Sequence, residues 1–159
     1  TAATVDAIPA SYSIAVEVLD RLGGEPALDY LIRAGEPLPK KGKKIFKAAQ
    51  TLKAGSDETL NIKLWEGEIE NPITDNRPIG VLKISGTDFS SGVIPAGADL
   101  ECAYEIEDSG NINLEVSVPS IGGVFNSGRN FYSRQEGAIN YTDAAELVSS
   151  NLNSRFTYT

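Results

Sequence analysis

The chain has no histidine, no methionine and a single cysteine, Cys102, among 159 residues. Each shortage removes a class of chemistry. Without histidine there is no Ser-His-Asp or Cys-His arrangement and no usual zinc ligand set. A lone thiol closes no internal disulfide, which points to a reducing compartment and hence to the cytoplasm. Apolar runs are only a few residues long, far below the roughly 18–20 that cross a bilayer as a helix. No basic start with an apolar core marks a signal peptide, so no membrane partner is expected. Positive charge is also short: 14 Lys and Arg against 22 Asp and Glu leave a net −8. A nucleic-acid backbone is therefore repelled on average, and no nucleic-acid partner is expected. A GxxxxGK phosphate loop and a GxSxG nucleophile elbow are both missing. With Thr1 first and no initiating Met, the chain is expected to be an excised piece of something longer.

What the sequence does have is a repeating period of two. Hydrophobic residues at 41% and charged residues at 23% are ordinary for a folded chain, and the length suits one domain. Over 58–66, Leu60, Ile62 and Leu64 alternate with Asn61 and Lys63. Leu100, Cys102, Tyr104 and Ile106 alternate with Glu101, Ala103 and Glu105, and Ile112, Leu114, Val116 and Val118 do the same with Asn111, Asn113, Glu115 and Ser117. That pattern is a strand with one buried face. Asp108-Ser109-Gly110 between the last two runs reads as a hairpin turn, Asp starting it and Gly supplying positive φ. Further strands are expected at 12–18, 27–33, 43–49, 79–85 and 129–134. The fold class is therefore mainly β, an antiparallel β-sandwich of about eight strands. The period then changes: Ala144, Leu147, Val148 and Leu152 follow helical spacing, with Asn140 or Thr142 as N-cap. A short C-terminal α-helix is expected over Thr142–Leu152.

Candidate chemistry is thin. Lys40, Lys41, Lys43, Lys44 and Lys47 form either a patch for an acidic partner or, preferably, an edge strand whose lysines discourage sheet-to-sheet pairing. The acidic turn Glu105, Glu107 and Asp108 offers oxygen ligands for a hard cation without the spacing of an EF-hand, and a plain hairpin tip is the simpler reading. Glu66, Glu68 and Glu70 would share one face of an extended segment, but nothing nearby would separate their pKa values as glycosidase chemistry requires. Trp65 is either a stacking platform or a packed strand aromatic, the second being the default. No enzymatic activity, no metal and no cofactor are expected of this chain.

Residue order is more specific than composition. Trp65-Glu66-Gly67-Glu68 is followed by Asp75-Asn76-Arg77-Pro78-Ile79-Gly80, an alternating strand, and then Tyr104-Glu105-Ile106-Glu107-Asp108-Ser109-Gly110 leading to Leu114-Glu115-Val116-Ser117. Upstream stand Ser13-Ile14-Ala15-Val16-Glu17, Gly23-Gly24, Leu31-Ile32-Arg33, Leu38-Pro39-Lys40 and Ile45-Phe46. This order resembles the C-terminal peptide-binding domain of the Hsp70 (DnaK-like) chaperones over roughly residues 6–140. It departs from the family by extra residues between Glu17 and Gly23, between Gly24 and Leu31 and between Ala49 and Leu60, and by Val118-Pro119-Ser120-Ile121 in place of a charged run. The resemblance implies a peptide-binding β-sandwich over 1–140 and the start of a truncated helical lid over 141–159.

Carried over residue by residue, the resemblance implies an apolar pocket of Val16, Phe46, Leu60, Ile62 and Leu100. Above it, Ala49 and either Leu19 or Leu22 would arch over the bound peptide. For each pocket residue, plain sandwich core is the competing assignment. The implied partners are unfolded or extended polypeptide segments, an ATPase domain and a J-domain co-chaperone, with ATP and Mg belonging to that ATPase domain alone. Self-association through the C-terminal tail, placed in a neighbour's peptide channel, is a further expectation. A β-sandwich carbohydrate-binding or adhesion module is the alternative, favoured by exposed aromatics on one sheet face and bound calcium.

Overall fold

In the computed structural model, residues 7–19, 24–126, 131–133 and 156–158 are described. Strands follow the alternation wherever it is strict. Between Asp99 and Ile106 the even-numbered residues are buried and the odd-numbered ones half-buried or exposed, and the sequence over Asn111–Val118 buries Ile112, Leu114, Val116 and Val118. In chain order the strands are β1 (Ile8–Pro9), β2 (Ile14–Leu19), β3 (Pro26–Ile32), β4 (Pro37–Leu38), β5 (Lys40–Ala48), β6 (Leu52–Lys53) and β7 (Thr59–Glu66). They continue as β8 (Arg77–Ser85), β9 (Val93–Ile94), β10 (Asp99–Ile106), β11 (Asn111–Val118), β12 (Gly123–Asn126), β13 (Phe131–Tyr132) and β14 (Phe156–Tyr158). The protein is mainly β, as expected.

Two half-sheets carry the architecture. In one, β5, β10, β11 and β12 lie side by side and antiparallel, with β13 also on β11. In the other, β2 pairs antiparallel with β3 on one edge and with β7 on the other, and β8 follows β7. The halves face a single hydrophobic cluster that includes Val16, Leu60 and Ile62 from one and Phe46, Leu100 and Val116 from the other. A β-sandwich fits this arrangement. Two-residue ladders join β1 to β4 and β6 to β9.

The hairpin between β10 and β11 turns where expected: Gly110 has φ 91°, its N–H donates to the Glu107 carbonyl at 2.9 Å, and the Glu107 N–H donates to the Asn111 carbonyl. The strands expected at 12–18, 27–33, 43–49, 58–66 and 79–85 are β2, β3, β5, β7 and β8 with ends shifted by up to three residues. Within 129–134, β13 covers Phe131–Tyr132 and residues 129, 130 and 134 lie outside the described residues. The helix expected over Thr142–Leu152 also lies outside them.

Two expectations need correction. Glu66, Glu68 and Glu70 do not share an extended face, because β7 ends at Glu66 and the next residue, Gly67, takes φ 135°. Only Glu66 remains on the strand. The lysine-rich segment is an edge only in part: β10 pairs with β5 along one side over Lys40–Lys47, while on the other side β14 covers Phe46–Ala48.

Candidate functional site

A slot between the half-sheets holds β14. On the β7 side of β2, β7 pairs only with Ile14, Ala15 and Val16, so the main chain of Val18 and Leu19 extends past it. On β5, the edge opposite β10 meets β14 at Phe46–Ala48. These two stretches of edge flank β14, which lies between them. Phe156 is opposite Val18 on one side and Ala48 on the other, Thr157 is opposite Leu19 and Lys47, and Tyr158 is opposite Phe46. The segment runs parallel to β2 and antiparallel to β5. With strands spaced about 4.8 Å, the slot is about 10 Å from edge to edge, the width of one extended chain.

Of the residues implied by the resemblance, Val16, Phe46, Leu60, Ile62 and Leu100 come together in the main core cluster, each 0% exposed. Phe46 is also opposite Tyr158 in the ladder. Leu19, at the end of β2, is half-buried and paired with both Thr157 and Pro26. Ala49, also half-buried, follows the last residue of β5. Leu19 and Ala49 thus stand on opposite banks of the slot. Leu22 lies outside the described residues. Sequence reasoning missed the main-chain edges at Val18, Lys47 and Ala48, and it missed β14. The readable signal was Phe156-Thr157-Tyr158, a run of aromatic and β-branched residues suited to a strand.

Several contacts hold the banks in place. The Lys44 ammonium on β5 donates to the Asp29 carboxylate on β3 at 2.9 Å, and the Tyr104 hydroxyl on β10 donates to the Leu31 carbonyl at 3.0 Å. Tyr104 reaches β3 by lying against Gly42, where an added Cβ would fall 2.4 Å from its hydroxyl oxygen. A cavity of about 370 Å³ lined by Val18, Ala27, Tyr30, Arg33 and Lys44 opens beside β2. There the Arg33 guanidinium carbon sits 3.6 Å from the centroid of the Tyr30 ring. Burial raises the Tyr30 phenol above its ordinary value, and Arg33 opposes that shift.

The other candidates resolve into structure. Trp65 is packed at 4% exposure, its Nε1–H donating to Glu17 Oε1 at 2.9 Å. Glu66 is buried and accepts from Ser133 Oγ at 2.8 Å and from Arg77 Nη1 at 3.3 Å. Lys40, Lys41, Lys43, Lys44 and Lys47 are each ion-paired with an acid, namely Glu36, Glu105, Glu101, Asp29 and Asp99. Hydrogen bonds from Lys40 and from the Arg33 backbone hold the Glu36 carboxyl below the ordinary carboxylate value. At the β10–β11 turn, Glu107 accepts from the Asn111 side chain. No cluster of acidic or thiol ligands suited to a metal occurs among the described residues. Among the described residues no helix is long and apolar enough to cross a membrane. Cys102 is buried, and desolvation, aided by Asp29, pushes its thiol up to about 12.

Neither a family model nor a curated protein matches the chain.

Proposed function

We propose that the protein is the peptide-binding β-sandwich of an Hsp70-like chaperone and that it takes up extended, apolar-centred segments of unfolded polypeptides. The observation that carries this reading is the pairing of Phe156–Tyr158 with β2 on one side and β5 on the other. A slot that holds one strand between two main-chain edges is a template for an extended chain, since backbone pairing supplies affinity without reading sequence. Selection then falls to side chains entering the apolar interior, where Val16, Phe46, Leu60, Ile62 and Leu100 are gathered. Burying one leucine-sized side chain is worth about 1.5–3 kcal/mol, enough for preference and too little for strict specificity. Leu19 and Ala49 flank the bound segment from opposite sides. In this reading the chemistry of ATP and Mg, and the J-domain co-chaperone, belong to an ATPase domain separate from residues 1–159.

Fluorescence anisotropy of a labelled Leu-rich peptide against an all-polar scramble tests the proposal. The Leu-rich peptide is expected to bind and the scramble not. Equal signals would remove the apolar selection, and binding of oligosaccharides in place of either peptide would favour the carbohydrate-binding alternative.

A further inference from the structure

The slot is already filled by the chain itself. Between Ser133 and Phe156 the sequence runs 22 residues, and on their far side Phe156–Tyr158 returns to pair with β2 and β5 of the same molecule. We infer that Phe156–Tyr158 is a built-in competitor, a strand of the chain's own that closes the slot and that an outside peptide must displace. The inference rests on the peptide-binding reading and adds its regulation.

Three features of the geometry support it. First, among the described residues β14 forms ladders only with the two strands of the slot, pairing with Val18 and Leu19 on β2 and with Phe46, Lys47 and Ala48 on β5. An outside segment using those edges and β14 exclude each other. Second, β14 is three residues long, whereas β10 pairs with β5 over eight positions. A strand with so few ladder positions belongs to the low-stability end of a fold and opens without the rest. Third, the competitor is tethered. Its effective concentration is fixed by the connecting chain, on the order of millimolar for a short linker, and does not fall on dilution.

Apparent affinity for an outside peptide then falls by the fraction of time the slot is open. If the open state is about 1–10% populated, as is usual for minor conformers, the outside peptide binds about 10- to 100-fold more weakly than the empty slot would allow. Sequence-blind pairing also explains how Phe156-Thr157-Tyr158 can be exchanged for unrelated segments: the slot reads main chain first.

The test uses the full chain and Thr157→Pro. Thr157 is the central residue of β14, paired on both sides, and proline has no N–H to donate and is excluded from interior strands. Thr157→Val, which keeps the N–H and strand preference, is the control. Two labelled probes are titrated, a Leu-rich peptide and a synthetic peptide with the sequence of residues 153–159. Thr157→Pro is expected to bind both at least tenfold more tightly than the unsubstituted chain, and Thr157→Val to bind as the unsubstituted chain does. If the Leu-rich peptide binds the unsubstituted chain and natively folded Thr157→Pro equally, the competitor is overturned while the peptide-binding reading stands. If neither folded form binds the Leu-rich peptide, that reading itself falls. Hydrogen exchange on the unsubstituted chain covers the case in which Thr157→Pro does not fold. The Thr157 and Tyr158 amides are expected to be protected in the free chain and to lose protection at saturating Leu-rich peptide. Protection that persists with peptide bound overturns the inference.

Discussion

The two half-sheets solve the same problem in opposite ways. Along β10, burial alternates, the inner residues going to the core and the outer ones to water, where Glu101 and Glu105 meet Lys43 and Lys41. Along β7, Leu60 through Glu66 are all buried, although the sequence alternates just as clearly. The difference is a second layer. Trp65, Ala15, Leu28, Val81 and Ile73 form a separate small cluster on the outer side of the β2–β7 half, with Tyr30 packed against it and Ile73 supplied by a one-turn 3-10 segment, Ile73–Asp75. A half-sheet covered on both faces must satisfy its buried polar groups internally, and Glu17 and Glu66 do so through Trp65, Ser133 and Arg77. Alternation therefore reports that a strand has two chemically different faces. It does not report whether the polar face is wet.

The sharpest way to break this comparison is to truncate one outer residue in each half. Trp65→Ala removes a packed aromatic and the N–H that Glu17 accepts, and it is expected to lower stability by about 3–5 kcal/mol. Glu115→Ala, on the exposed face of β11, is expected to stay within about 0.5 kcal/mol of the unsubstituted chain. Urea unfolding measures both. Similar losses would mean that the outer faces are equivalent, and the second layer would carry no stability.

Which parts of this were legible in the sequence follows from the same contrast. Strands β7, β10 and β11 were readable because their alternating residues define a period, and Asp108-Ser109-Gly110 fixed the hairpin between the last two, whereas β2, β3, β5 and β8 were expected as strands without so strict a pattern. The ladders β1–β4 and β6–β9 were not, since two residues hold no period. The resemblance singled out Val16, Phe46, Leu60, Ile62 and Leu100, which all lie in the main core cluster where plain sandwich core would also put them, and Leu19 and Ala49, at the end of β2 and just after β5. The slot's main-chain edges at Val18 and Ala48 were not legible, because an open backbone edge depends on where a neighbouring strand stops. That β7 pairs with β2 only as far as Val16 is a tertiary fact.

The junction between the halves gives the next largest effect. Gly42→Ala would place a Cβ 2.4 Å from the Tyr104 hydroxyl and 2.5 Å from its ring carbon Cζ, so the ring must move and release the Leu31 carbonyl. Overpacking of this kind costs about 1–3 kcal/mol. Tyr104→Phe, which loses only the hydrogen bond, is expected to cost about 0.5–1.5 kcal/mol. If Gly42→Ala proves neutral, Tyr104 is not locked across β5 and the bank of the slot is looser than its geometry indicates.

Cys102 probes the dry face of the alternating half. With its folded pKa raised from 9.0 to about 12, the folded chain holds the thiol proton over a range in which the unfolded chain has lost it. The unfolded state then binds fewer protons, so this group's contribution is fully present below pH 9 and declines as pH rises from there toward 12. Iodoacetamide at pH 8 is accordingly expected to leave the folded chain unlabelled and to modify it readily in concentrated urea. Equal labelling rates in the two states would place Cys102 on a water-accessible face.

The smallest effects separate the wet face of β5 from its junction with β3. Lys43 and Glu101 are 3.7 Å apart with side chains 61% and 32% exposed, whereas Lys44 and Asp29 are 2.9 Å apart with 33% and 9% exposed. Both pairs have the same chemistry and both lysines sit on one strand, so a difference between them isolates the surroundings. A double-mutant cycle to alanine on Lys43 and Glu101 is expected to give a coupling of about 0.2–1 kcal/mol, shrinking as salt is added. The cycle on Lys44 and Asp29 is expected to give about 1.5–3 kcal/mol, in the range of hydrogen bonds to charged groups, with weaker salt dependence. The second pair joins β5 to β3 and thereby fixes the spacing of the strands that flank Phe156–Tyr158. Its loss should therefore also weaken protection of the Thr157 amide in hydrogen exchange, an effect that Lys43→Ala should not produce. Equal couplings and equal exchange in the two cycles would mean that the spacing of the slot is set by the core cluster alone.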